Sequence, residues 1–183
     1  MKGIIIYKGK YGATRQYAQW LGETLNLQVA NADKIPGETL PGYDFFIIGS
    51  SVYIGKLQIS KWLKVNQAIL KGKKIFFFQV AATPPDEKEK LEAYIRSGVP
   101  EDIRSQCEFY FYRGKMIFND LSWKDRLLLK MGASLIKDPV VKKGMLTNFN
   151  DLKKENIVPM VNAIKEFISR KKTMQPVYHC IRP

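Results

Sequence analysis

Apolar positions in this chain fall in short unbroken runs, separated by stretches with a longer repeat. The runs lie at residues 3–7 (GIIIY), 28–32 (QVANA), 43–50 (YDFFIIGS), 74–80 (KIFFFQV) and 107–112 (CEFYFY). Turn residues bound them, so they predict five strands. Within them FFII and IFFF are continuous rather than alternating, the mark of strands covered on both faces. The intervening stretches follow helical spacing. Residues 14–26 place Tyr17, Trp20, Leu21 and Leu25 near one face, and residues 59–70 do the same with Ile59 and Leu63. Residues 85–97 open with PPDEKE. Proline in the first turn and acids at the positive end of the helix both favour a start there. Residues 151–172 predict a last long helix, in which Pro159 marks a kink or a late start. Between strands two and three the helix reduces to a loop at 34–42.

Strands alternating with helices predict an α/β chain with a parallel sheet covered on both faces. One stretch interrupts the alternation, 122–137 (SWKDRLLLKMGASLIK). Leu127, Leu128, Met131 and Leu135 share one helical face there, and Lys124, Arg126 and Lys130 lie beside it or across from it. Such a segment is either an extra helix packed on the domain or a basic amphipathic surface for a membrane or a large apolar ligand. Periodicity leaves both open.

The chain has 183 residues, of which 45% are hydrophobic, so one domain spanning 1–183 with a core that needs no disulfides is expected. No run reaches the roughly 18 apolar residues of a membrane span, and the first residues lack a secretory pattern. A cytoplasmic protein is the expectation, with peripheral contact at the inner face of the membrane if the insert meets lipid. Cys107 is expected in the core. Cys180 and His179, the only histidine, sit together near the end and lack the further ligands of a metal site.

The formal net charge is +13, unevenly spread. Residues 111–183 carry 15 Lys and Arg against 6 Asp and Glu, a net of +9. Such an excess attracts an anionic partner. No nucleic-acid recognition pattern accompanies it, so nucleic acid is not expected.

In an open parallel sheet, ligands bind beyond the carboxyl ends of the strands. That rule selects three loops. The first, after strand one, holds Lys8, Gly9, Lys10, Tyr11, Gly12, Ala13 and Thr14. It leads into a helix, whose first N–H groups have no partner and whose dipole is positive there, so it suits a phosphate. The second holds Ser50, Ser51, Val52, Tyr53, Ile54 and Gly55, where an aromatic beside backbone amides suits a flat heteroaromatic ring. The third holds Val80, Ala81, Ala82 and Thr83, small residues that let main chain approach a ring edge.

A phosphate loop after strand one and two ring loops after strands three and four form the layout of a flavin mononucleotide (FMN) site. On IIIYKGKYGATRQYAQWL, YDFFIIGSSVYIGKL and IFFFQVAA, the chain resembles the flavodoxin-like family. With WKDRLLLKMG and DLKKENIVPMVNAI added, it looks most similar to the group containing the menaquinone-dependent protoporphyrinogen oxidases. The resemblance implies a flavodoxin-like three-layer sandwich with a five-stranded parallel sheet of order 2-1-3-4-5 and a helical insert near 119–137. It implies noncovalent FMN, with Gly9–Thr14 at the phosphate and Tyr53 stacked on the ring. It also implies protoporphyrinogen IX oxidation with a quinone acceptor, a step of heme biosynthesis. The chain departs from the family at Gly9, Lys10 and Tyr11, where hydroxyl side chains are usual; only Thr14 keeps one. Charge on Lys8 or Lys10 is expected to compensate.

The flavin carries the redox chemistry, so no catalytic triad is expected, and none is visible. A basic surround favours the reduced flavin anion. It also suits an anionic organic substrate, for which Trp123, Lys124, Arg126, Leu127 and Lys130 are the candidate contacts. Two alternatives remain: an electron shuttle docking an acidic redox protein, and an interaction module without flavin.

Overall fold

The computed structural model describes residues 1–84 and 86–173. Five parallel strands form its centre: β1 (Gly3–Lys8), β2 (Gln28–Asn31), β3 (Phe45–Tyr53), β5 (Lys74–Ala81) and β6 (Cys107–Arg113), with the two-residue β4 (Lys56–Leu57) folded back on β3. The spatial order is β2-β1-β3-β5-β6, which is the expected 2-1-3-4-5 once β4 is set aside. Register is continuous across the centre: Ile4 faces Phe46, and Phe46 faces Ile75.

The unbroken apolar runs are buried on both faces, as their sequence requires. Ile5, Phe45, Ile47, Phe76 and Phe78 pack on α1 (Ala13–Leu25) and α8 (Val158–Thr173), through Tyr17, Leu21, Met160 and Ile164. Ile4, Ile6, Phe46, Ile48 and Phe77 face the opposite layer, which supplies Leu63, Leu70, Ile95 and Ile103. That layer comprises α2 (Ser60–Val65), α3 (Gln67–Leu70), α4 (Lys88–Gly98) and α5 (Glu101–Arg104). The result is the three-layer α/β sandwich of the flavodoxin-like fold.

Several boundaries differ from the sequence expectation, each for a local reason. β3 runs on to Tyr53, because Val52 and Tyr53 pair antiparallel with Leu57 and Lys56. The second candidate loop is therefore a hairpin. The expected helix at 59–70 is broken at Asn66, whose φ of −100° and ψ of 12° leave the helical region. Its amide donates to the Trp62 carbonyl at 2.9 Å, a local bond that competes with helix continuation. The connection at 34–42 holds a single 3-10 turn, Gly37–Gly42. The last helix starts late, at Val158, so Pro159 lies in its first turn, where its missing N–H costs nothing. Helix α4 begins at Lys88; the expected start at Pro85 lies outside the described residues, as do His179 and Cys180. Cys107 is half-buried rather than fully in the core.

The insert follows β6. It contains β7 (Lys115–Met116), α6 (Trp123–Ser134), α7 (Pro139–Leu146) and β8 (Phe149–Asn150), with β7 and β8 paired antiparallel. Helix α6 leaves most of its apolar face uncovered. Trp123, Leu127, Leu128 and Met131 are 66%, 52%, 47% and 57% exposed, and only Asp125 and Ala133 of this helix are buried. No described helix is long and apolar enough to cross a membrane.

Candidate functional site

The strands bring the three candidate loops to one end of the sheet. β1, β3 and β5 are neighbours in register, with Lys8 beside Ser50 and Ser51 beside Val80. The segments that follow them enclose a cavity of about 410 Å³. The first loop contributes Lys10, Tyr11, Ala13 and Thr14, the hairpin Ser51 to Ile54, and the third loop Val80 to Ala82.

The first loop is built for close approach. Gly12 sits at φ 83°, a left-handed conformation that glycine adopts freely, and caps α1 without a side-chain hydrogen bond. No acid occupies the first turn of α1 to answer its dipole. Thr14 in that turn is 1% exposed, yet its Oγ1 has no protein partner. A Cβ at Gly9 would stand 2.6 Å from that hydroxyl oxygen, so the usual side chain at this position would collide with it. A buried unpaired hydroxyl beside an uncapped helix start is a set of donors that fits a phosphate.

The lysines of this loop are engaged elsewhere. Lys8 pairs with Asp33 at 2.6 Å and does not line the cavity. Lys10 pairs with Asp125 of α6, also at 2.6 Å. That hydrogen bond, and next one to Tyr53, hold the Lys10 proton more firmly than usual. Lys10 lines the cavity with its charge answered by Asp125, and the Thr14 hydroxyl is the lining donor left unpaired among the described residues.

The hairpin turns at Ile54 and Gly55, with φ values of 48° and 70°. Ile54 is β-branched and 64% exposed, an uncommon residue for a left-handed position. The turn fixes Tyr53, whose hydroxyl donates to Asp125 at 2.5 Å and accepts from Lys10 at 3.1 Å. The Lys10 ammonium also lies 4.3 Å from the centre of the Tyr53 ring.

Six of the sequence candidates stand outside the cavity wall: Lys8, Gly9, Gly12, Ser50, Gly55 and Thr83. Gly9, Gly12 and Gly55 shape the turns. Ser50 is fully buried and structural, its Oγ accepting from the Ile59 N–H at 3.2 Å. Thr83 lies 3.5 Å from the Tyr94 hydroxyl.

The insert supplies the fourth wall, through residues other than the substrate candidates Trp123, Lys124, Arg126, Leu127 and Lys130, none of which lines the cavity. Met116, Leu121, Leu128, Leu129 and Phe149 roof the cavity, and Asp125 is the one acid in its lining among the described residues. Of these, only Leu128 lay on the face singled out from periodicity. Asp125 is 7% exposed and accepts from Lys10, Tyr11 and Tyr53 together. Its spacing from Ser122, Ser-x-x-Asp, marks a helix start and so suggests a local role rather than this one.

A flavodoxin domain model matches residues 4–141. The chain belongs to the flavodoxin domain family. Distant likenesses run to solved members. An archaeal flavodoxin is 17% identical, with 80% of this chain and 94% of that one covered and a TM-score of 0.44. Flavodoxin 2 from Bacillus cereus is 15% identical, with 91% and 99% covered and a TM-score of 0.46. An uncharacterised protein of Methanocaldococcus jannaschii is 31% identical over 85 residues, or 46% of this flavodoxin-family chain. That match spans 57% of its length. These likenesses support the flavodoxin domain and give no support to membership of the protoporphyrinogen oxidase group.

Proposed function

We propose that this flavodoxin-family protein binds FMN in the cavity at the ends of β1, β3 and β5 and transfers electrons through it. One observation carries the reading: the buried, unpartnered Thr14 hydroxyl at the uncapped start of α1, opening on a cavity lined by all three loops. Residues 9–14 would hold the phosphate through backbone N–H groups and Thr14. Residues 51–54 and 80–82 would hold the ring, with Tyr53 beside it. When bound, FMN supplies one- and two-electron redox chemistry. The chain supplies position, electrostatics and an apolar roof.

The roof favours a small organic reactant over a docked redox protein. Met116, Leu121, Leu128, Leu129 and Phe149 give the cavity an apolar wall that such a reactant would contact. An apolar compound with carboxylates, of the protoporphyrinogen IX class, would match that roof and the cations around it, with a quinone as acceptor. The exposed face of α6 supports a further element, peripheral contact with an anionic bilayer on the cytoplasmic side. Trp123, Leu127, Met131 and Leu135 are exposed there, flanked by the exposed Lys124 and Lys130.

The test is the visible spectrum of purified protein with and without added FMN, followed by fluorescence titration. Saturable one-to-one binding is expected. Protein that stays colourless with excess FMN would leave the interaction-module alternative in its place. For loaded protein, anaerobic reduction by a porphyrinogen separates the substrate reading from the shuttle. Reduction only by a protein donor would remove the organic substrate.

A further inference from the structure

Helix α6 reaches the cofactor loops through one side chain. Asp125 accepts from Lys10 at 2.6 Å and from Tyr11, both on the loop after β1, and from Tyr53 at 2.5 Å on the hairpin after β3. Three donors from two loops thus meet on one nearly buried carboxylate.

The helix start shows that this carboxylate has been diverted. Ser122 caps α6 by accepting from the Asp125 N–H at 3.2 Å. In a capping box the acid three residues on returns the bond to the N–H of the capping residue. Here Asp125 turns away to the loops, and the Ser122 N–H donates to the Tyr11 hydroxyl at 3.4 Å instead. Local helix capping has been exchanged for a long-range tether.

Little else buries α6. Apart from Asp125, its only buried residue is Ala133, while Leu127 and Met131 face out. Surface helices normally gain their attachment from an apolar face against the core. This one packs beside α7, and its polar link to the cofactor loops is a hydrogen-bonded charge.

We infer that α6 is a lid over the cofactor cavity, and that Asp125 is the positioning residue that clamps it to both cofactor loops and so limits cofactor exchange and solvent access. The inference rests on the FMN reading above. Leu128 and Leu129 form part of the roof, so release of the clamp uncovers the cavity from the α6 side. Charge-assisted hydrogen bonds are about twice as strong as neutral ones, so loss of the negative charge weakens all three contacts together.

The test compares the full chain with Asp125→Asn and Asp125→Ala. Hydrogen exchange of amides 123–134, measured without flavin, reads the clamp directly. FMN dissociation and iodide quenching of bound flavin read its consequence. Faster exchange in α6, with FMN release accelerated about tenfold or more and greater quenching, is expected in both variants. Unchanged exchange of the central strands confirms that each variant folds. If the wild-type chain binds FMN and both variants release it at the wild-type rate, the clamp is wrong while the FMN reading stands. If the wild-type chain binds no FMN, both fall together.

Discussion

Replacing Thr14 by valine should move stability and affinity in opposite directions. The change swaps a hydroxyl for a methyl at nearly constant volume, on a residue that stays β-branched, so helix propensity barely changes. Thr14 is 1% exposed and its Oγ1 is unpaired within the protein. Burying a hydroxyl without a partner costs about 1–3 kcal/mol. Valine removes that cost from the flavin-free protein. A gain of about 1 kcal/mol is expected, which for a chain of this length raises Tm by about 2–4 °C. With FMN bound the sign reverses. A hydroxyl bond to a charged phosphate is worth about 1.5–3 kcal/mol, so the Kd for FMN should rise about 10- to 150-fold. Thermal melts of flavin-stripped protein and fluorescence titrations read the two effects. Thr14→Ser keeps the hydroxyl and should keep most of the affinity. A fall in flavin-free Tm together with unchanged FMN affinity would show that the hydroxyl serves the fold, and would refute the reasoning.

Other predictions test the scaffold and the surface. A Cβ at Gly49, in the middle of β3, would overlap the Phe78 ring, so Gly49→Ala should cost about 1–3 kcal/mol by overpacking, and Phe78→Leu in the same chain should recover part of it in denaturant melts. Burial pushes the Cys107 thiol from its ordinary 9.0 up to about 12, so at pH 8 its thiolate, and with it iodoacetamide labelling seen by peptide mass spectrometry, should fall about 1,000-fold below that of unfolded chain. Because that pKa is raised on folding, its contribution to stability is complete below pH 9.0 and is lost as pH rises toward 12. Leu127→Ser with Met131→Ser should weaken sedimentation with anionic phosphatidylserine vesicles without lowering Tm, since both side chains are more than half exposed; equal binding by this variant would remove the membrane contact.

The sheet was legible because its strands are apolar on both faces, a pattern that leaves the central FFII and IFFF runs little other place in a fold of this size. The loop after β1 was legible for a different reason: its glycines and Thr14 sit at a strand-to-helix junction whose backbone donors are set by geometry alone. The hairpin at Ile54 was not. A β-branched residue gives no sign of a positive φ, and a two-residue strand such as β4 leaves no periodicity to read. The break at Asn66 was hidden because the apolar spacing from Ile59 to Leu70 continues across it. For α6, periodicity identified the apolar face but not its direction, since the same spacing fits a helix turned inward or outward. Asp125 was masked by its own spacing. An acid three residues after serine has a sufficient local role, and only the folded chain shows it reaching Lys10 across 115 positions.

The excess of positive charge invites a simple account, in which lysines around the first loop draw in and hold a phosphate. The pairings assign the charge differently. Lys8 and Lys10 each meet a carboxylate, so under the proposed reading amides and a hydroxyl would meet the phosphate, donors that burial strengthens and salt screens little. The larger share of the excess lies in residues 111–183. Asp125 is the only acid in α6, and by turning inward it leaves the exposed side of the helix to Lys124, Lys130, apolar side chains and Ser134. The side chain proposed to hold the lid closed also turns inward the one negative charge that α6 itself carries. The two roles remain separable. Leu127, Met131 and Leu135 are exposed while Asp125 is clamped, so a bilayer can be engaged without opening the cavity. A surface that binds the closed lid as well as the open one shifts the lid equilibrium in neither direction. Membrane contact would then set where electrons are delivered, and Asp125 how long the cofactor stays to deliver them.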